Sequence, residues 1–181
     1  GKVREPLLRL TAMWRAFDAV PPPTTQYGEI PMGMTNPTPT YGQRPLGAPT
    51  VFNFWEPDYL PPGALADAGL YSPEFQVIHE GSTFSITNSL YTFSWNSYVG
   101  MASPPADRPL LNLNDLTTIA GFNVGQMVEY CNQKMLYGSM SDAMRTTLFN
   151  TMTFMAGASP SERARTLVYL IALSPEYAVQ R

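Results

Sequence analysis

Apolar residues recur at helical spacing in several blocks of the chain and lose that spacing in one long block between them. Residues 5–18, EPLLRLTAMWRAFD, put Leu7, Leu10, Trp14 and Phe17 on one face, the period of an amphipathic helix. Pro6 suits the first turn, where its missing N–H has no intrahelical partner to lose, and VPPP at 20–23 stops the helix. Further on, NVGQMVEYCNQKML predicts a helix with Asn123 as cap and Gln126 three residues later, the spacing of a capping box. SMSDAMRTTLFNTMTFMAG spaces Met140, Met144, Leu148, Met152 and Met155 by four and three, with Gly157 placed to end the helix. SPSERARTLVYLIAL repeats the box with Ser159 and Glu162 and offers Leu167, Leu170 and Ile171 to a core. SPEYAVQR then opens a last helix at Ser174, Pro175 and Glu176.

Two stretches are less decided. SPEFQVIHEG at 72–81 begins a helix, with Ser72 as cap, Pro73 in the first position and Glu74 at the positive end. From 83 to 98, TFSITN and YTFSWNSY alternate like strands, yet Phe75, Ile78, Ile86, Leu90 and Phe93 also fall near one helical face. Local alternation slightly favours strand, whereas length without turn signals favours helix. The echo of SPEF and SPEY is a shared way of starting a helix, since no other similarity accompanies it.

Thirteen of the 18 prolines lie in residues 1–73, and residues 21–71 read as one long irregular segment, roughly four times the usual connection between elements. Its first half, PPPTTQYGEIPMGMTNPTPTYG, has few large apolar groups and reads as mobile. Its second half contains VFNFWEPDYL, whose rings each bury roughly 150–250 Å² when packed, and reads as docked on the helices. The expected fold is mainly α: a single irregular helical domain over 1–181 with five or six helices, a docked proline- and aromatic-rich segment, and little or no β structure. The start at Gly1, within two turns of a strong helix pattern, suggests a piece of a longer protein.

Composition narrows the classes. At 181 residues, 44% hydrophobic and 14% charged, the chain can build a core. A net charge of −3 with scattered Lys and Arg gives no basic stripe, which argues against nucleic acid as a partner. One cysteine, Cys131, excludes an internal disulfide and any CxxC site. Residues 81–106 carry no charge for 26 positions, but they are too rich in Ser, Thr and Asn to sit in lipid, so no transmembrane segment is expected.

Candidate chemistry is sparse. His79 is the sole histidine, so neither a multi-histidine metal site nor a histidine-centred triad can be assembled around a second one; with Glu80 or Glu74 it could shuttle a proton, and a hydrogen-bonded structural imidazole is the simpler reading. Glu56 and Asp58, flanked by Trp55 and Tyr59, resemble paired carboxylates beside a sugar-stacking ring, although Pro57 makes a tight turn a sufficient explanation. Arg44 is the only cation between Arg15 and Arg108, and a structural clamp to Glu56, Asp58 or Glu80 is expected ahead of anion binding. Arg44, Asn53, Trp55, Glu56, Asp58, His79 and Glu80 are thus the candidate ligand or ion-pair residues. Six methionines between 127 and 155 fill a core at helical spacing, and Cys131 acts as a small hydrophobe. No phosphate-loop, dinucleotide, zinc-protease or nucleophile-elbow motif is present, and no metal or cofactor is expected.

REPLLRLTAMWRAF, GQRPLGAPTVFNFWEPDYLPPGALADAGLYSPEFQ and the terminal LVYLIALSPEYAVQR resemble the C-terminal part of the bacterial domain-of-unknown-function 1800 family. The resemblance spans nearly the whole chain but only about the last third of a typical member, and it favours helix for 83–98. It implies a mostly helical, exported protein, periplasmic or extracellular, often encoded beside a sulfatase-like exported partner, and it brings no catalytic residues with it. Two functions are then expected in competition. One is a binding or assembly module for the N-terminal part of the same protein or another exported protein. The other is part of an enzyme acting on an extracellular or cell-surface polymer.

Overall fold

The computed structural model describes residues 2–23 and 37–180. Helix α1, Pro6–Ala16, starts on its proline and buries Leu10 and Met13, followed by Phe17 just past its end. Leu7 and Trp14 pack against the core from its edge, and Trp14 meets Phe93 edge-on with centroids 5.2 Å apart. Asp18 turns the chain with φ 44°, and Val20 exchanges two 2.9 Å backbone hydrogen bonds with Leu110. The prolines at 21–23 therefore follow a short bridge.

Three elements of four residues each punctuate the next stretch: α2 (Thr38–Tyr41), α3 (Ala64–Asp67) and a 3-10 turn at Pro73–Gln76. The expected helix start at 72–81 is divided. Ser72 makes no side-chain cap, the 3-10 turn ends at Gln76, and a new helix α4 runs over Glu80–Trp95. His79 is its cap: the ring Nδ1 accepts from the Ser82 N–H at 3.4 Å while the Ser82 hydroxyl oxygen accepts from the His79 N–H at 2.9 Å.

The 83–98 ambiguity resolves as helix up to Trp95, because the polar residues that mimic strand alternation return their hydroxyls to the backbone. Thr83, Ser85, Thr92 and Ser94 each donate to the carbonyl four residues earlier, a use of Ser and Thr that helices tolerate. Ile86, Leu90 and Phe93 occupy the buried face.

The rest follows the expected order, with one element the sequence did not announce, α5 (Asn114–Ala120). Helices α6 (Val124–Leu136), α7 (Asp142–Phe154), α8 (Pro160–Leu173) and α9 (Pro175–Ala178) complete it. Asn123 caps α6 through the Gln126 N–H at 2.9 Å without the reciprocal bond, so only half of that box forms. The Ser159–Glu162 box is complete. Ser141 and Ser174 cap α7 and α9 through their hydroxyl oxygens, which accept from the Met144 and Tyr177 N–H groups. Gly157 closes a 3-10 turn that continues α7.

Helix α8 is central: it packs on α4, α5, α6 and α7, with Leu167, Val168 and Ile171 fully buried. Met127, Met135, Met140 and Met152 join them in one apolar cluster that also holds Cys131. Beside it, strands β1 (Lys2–Val3) and β2 (Val179–Gln180) pair antiparallel, Lys2 opposite Gln180.

The proline- and aromatic-rich segment departs from expectation. The portion 24–36, read as mobile, lies outside the described residues. Tyr41 and Gln43 are buried and anchor the start, Tyr41 through a hydrogen bond to the Ser89 hydroxyl and Gln43 through a 3.0 Å bond to Glu5. Between them and buried Glu74 and Val77, the rings do not fill the core. Leu46 and Val51 are almost fully exposed and Phe52 largely so, while Phe54, Trp55 and Tyr59 are half-buried. Prolines and turns leave this stretch with no regular face to lay on the helices, so aromatic content does not become burial.

Candidate functional site

Residues 44–59 form consecutive turns. Arg44 accepts the Gly47 N–H on its carbonyl at 3.2 Å, Leu46 adopts φ 55°, and the Arg44 side chain folds back across Gly47, where a Cβ would collide with it. Thr50 and Asn53 bridge the next turn, with Asn53 at φ 73°, a conformation asparagine accepts more readily than most residues. The Glu56 N–H donates to the Gln76 side-chain oxygen and the Ser72 N–H to the Tyr59 carbonyl at 3.0 Å, which ties the turns to the 3-10 segment.

These turns border an open concavity of about 390 Å³ lined by Phe52, Asn53, Phe54, Trp55, Glu56 and Gln76, among others. Three of the seven sequence-expected residues, Asn53, Trp55 and Glu56, therefore share one concavity. Arg44, Asp58, His79 and Glu80 do not line it. Among the described residues Arg44 makes no ion pair, so the clamp to Glu56, Asp58 or Glu80 is not formed. All four of those side chains are exposed, and solvation removes the need for a partner that burial would have imposed. Aromatic faces beside one amide and one carboxylate can stack a polyol or pack against another protein, whereas a two-acid proton relay has only Glu56 at hand there.

A second concavity was not foreseen. Arg4 and Arg15 line a cavity of about 490 Å³ with Leu8, Met135, Leu136 and Glu176. The Arg4 guanidinium stands 4.5 Å above the Tyr177 ring, and Tyr177 donates its hydroxyl to the Arg9 carbonyl at 2.9 Å. Arg9 donates to the Ala172 carbonyl at 2.7 Å. Burial pushes the Tyr177 hydroxyl up to about 12, while burial, the dominant influence, lowers Arg9 from the usual arginine range. Glu176 accepts both the backbone N–H of Ser141, at 2.9 Å, and its hydroxyl. The available sequence signal was a local charge imbalance: Lys2, Arg4, Arg9 and Arg15 against Glu5 alone in the first fifteen residues.

A third cavity, about 350 Å³, is bordered by the Ser85, Asn88, Ser89 and Thr92 side of α4 together with Thr40 and Arg108. Beside it Tyr41 is pushed up to about 12 by burial, offset in part by its bond to Ser89. Among the described residues no group of three or more His, Cys, Asp or Glu side chains converges as a metal site would, and no helix there is long and apolar enough to cross a membrane.

No curated protein and no solved structure matches the chain. The sequence model of the family described as "Protein of unknown function (DUF1800)" matches residues 1–179, and with that span covered the chain belongs to the domain-of-unknown-function 1800 family.

Proposed function

We propose that this chain is a binding and assembly module of an exported protein, docking through residues 46–71 onto the N-terminal part of the same protein or onto another exported protein. One observation carries the reading: Leu46, Val51, Phe52, Leu70 and Tyr71 all stand in solvent, at 108, 94, 59, 55 and 63% exposure, on a stretch fastened at both ends. Scattered exposed apolar side chains need no explanation, but a concentration on one tethered segment is the composition of an interface core. Tethering reduces the ordering cost that a free arm would bear on docking.

A photo-crosslinking residue in place of Phe52, in the full-length protein in its own host, tests the reading. Crosslinks to the N-terminal part or to an exported protein support it. Monomeric, uncrosslinked protein at native expression levels overturns it.

A second reading, part of an enzyme acting on an extracellular or cell-surface polymer, draws on the cavity at Asn53, Trp55 and Glu56. Glu56→Gln abolishing polymer turnover with an unchanged melting temperature would favour it; unchanged turnover would dismiss it.

A further inference from the structure

The carboxylates around α1 are engaged. Glu5 accepts from Gln43 at 3.0 Å, Glu74 pairs with Lys2 at 3.1 Å, Asp18 with Lys134 at 3.5 Å, and Glu176 holds Ser141. Arg4 and Arg15 share the 490 Å³ cavity, and neither forms an ion pair among the described residues. Arg4 is fixed by its stacking on Tyr177, and its Nη1 is buried without a hydrogen-bond acceptor among those residues. A buried guanidinium N–H in that condition is costly, and a ligand oxygen or water would relieve it.

Leu8, Met135 and Leu136 give the cavity an apolar side, with Ser139, Glu176 and Gln180 also on its wall. At its border Tyr137 adopts φ 54° and is 84% exposed, a backbone conformation that a bulky side chain rarely takes and that glycine would hold without strain. The volume falls in the range of small-molecule sites. Among the described residues the lining holds two guanidinium groups and one carboxylate, a sum of one positive charge, which matches a monoanion better than a multiply charged group.

We propose that this cavity binds an amphipathic carboxylate, its head held by Arg4 and Arg15 and its hydrocarbon body lying on Leu8, Met135 and Leu136. The fork of an arginine matches the two oxygens of a carboxylate. The site shares no residue with the 46–71 segment, so it stands independently of the docking role.

Octanoate, titrated calorimetrically into the chain below its micellar concentration, tests this. One-to-one saturable binding is expected, weakened about tenfold by Arg15→Gln, the scale of one charge-assisted hydrogen bond. Arg15 is exposed, so that variant keeps the wild-type melting temperature, whereas Arg4→Gln also loses its place over Tyr177. Equal octanoate affinity in Arg15→Gln and wild type overturns the proposal. So does equal binding of neutral 1-octanol, which would mean apolar adsorption, or displacement of octanoate by inorganic phosphate at matched ionic strength, which would mean an unselective cation pair.

Discussion

The Asn132 side-chain oxygen accepts the Met140 N–H at 3.0 Å, reaching from the last turns of α6 across the corner to the residue before the α7 cap. Its amide nitrogen donates to both Glu129 oxygens at 3.1 Å, and its backbone carbonyl takes the N–H groups of Tyr137 and Gly138. One buried amide thus organises a corner that includes two consecutive left-handed residues.

Asn132→Leu is therefore expected to destabilise the fold by about 1–3 kcal/mol, because the Met140 N–H loses its acceptor in a buried setting. Urea unfolding monitored by circular dichroism measures it. A loss below a few tenths would mean that water replaces the amide.

Arg165 lies 4.5 Å from the Trp95 ring and 4.7 Å from the Tyr98 ring, and donates to the Trp95 carbonyl at 3.2 Å. It clamps α8 to the end of α4. Arg165→Lys keeps the charge but loses the planar stacking, and about 1 kcal/mol of stability should go with it. Equal midpoints for the two proteins in the same denaturant series would contradict the clamp.

Hydrogen bonds from Gln133, Arg145 and Asn132, in descending weight, hold the Glu129 carboxyl down at about 2 from its usual 4.5. A depressed carboxylate contributes stability that is fully present above the unfolded value and is lost as pH falls from about 4.5 through about 2. Glu129→Gln should flatten the acid side of the stability curve within that window and leave its shape near neutrality unchanged. Parallel acid limbs in the two proteins would show that Glu129 carries none of the acid sensitivity.

Cys131 is fully buried, and burial alone raises its thiol above the ordinary range. Labelling by a thiol reagent should then follow unfolding, rising with denaturant, because a protonated thiol without access does not react. Prompt labelling in native buffer would contradict the packing of α6.

Where the sequence spoke through local chemistry, it was readable. Ser159 with Glu162, Asn123 with the Gln126 N–H, and the proline at the start of α1 mark helix ends by groups only three residues apart. The α4 stretch stayed ambiguous to pattern alone because hydroxyl-to-carbonyl bonds inside a helix leave no trace in a polar–apolar pattern. His79 escaped as a cap because imidazole rarely serves as one. The rings of 52–59 misled in the other direction, since burial depends on a surface to receive them and not on their number. The Arg4–Tyr177 contact joins opposite ends of the chain, and no window along the sequence could contain it.

Those two ends also meet in a short ladder, Lys2 and Val3 against Gln180 and Val179, extended by the Arg4 N–H on the Ala178 carbonyl at 2.7 Å. Mechanically this is a small buckle. Tension applied between residues 2 and 180 loads that ladder before it reaches any helix, so the first event expected under pulling is the separation of β1 from β2. Anything fused at residue 2 and anything fused at residue 180 leave the molecule side by side, and a distance probe across the pair reports directly whether the buckle is closed.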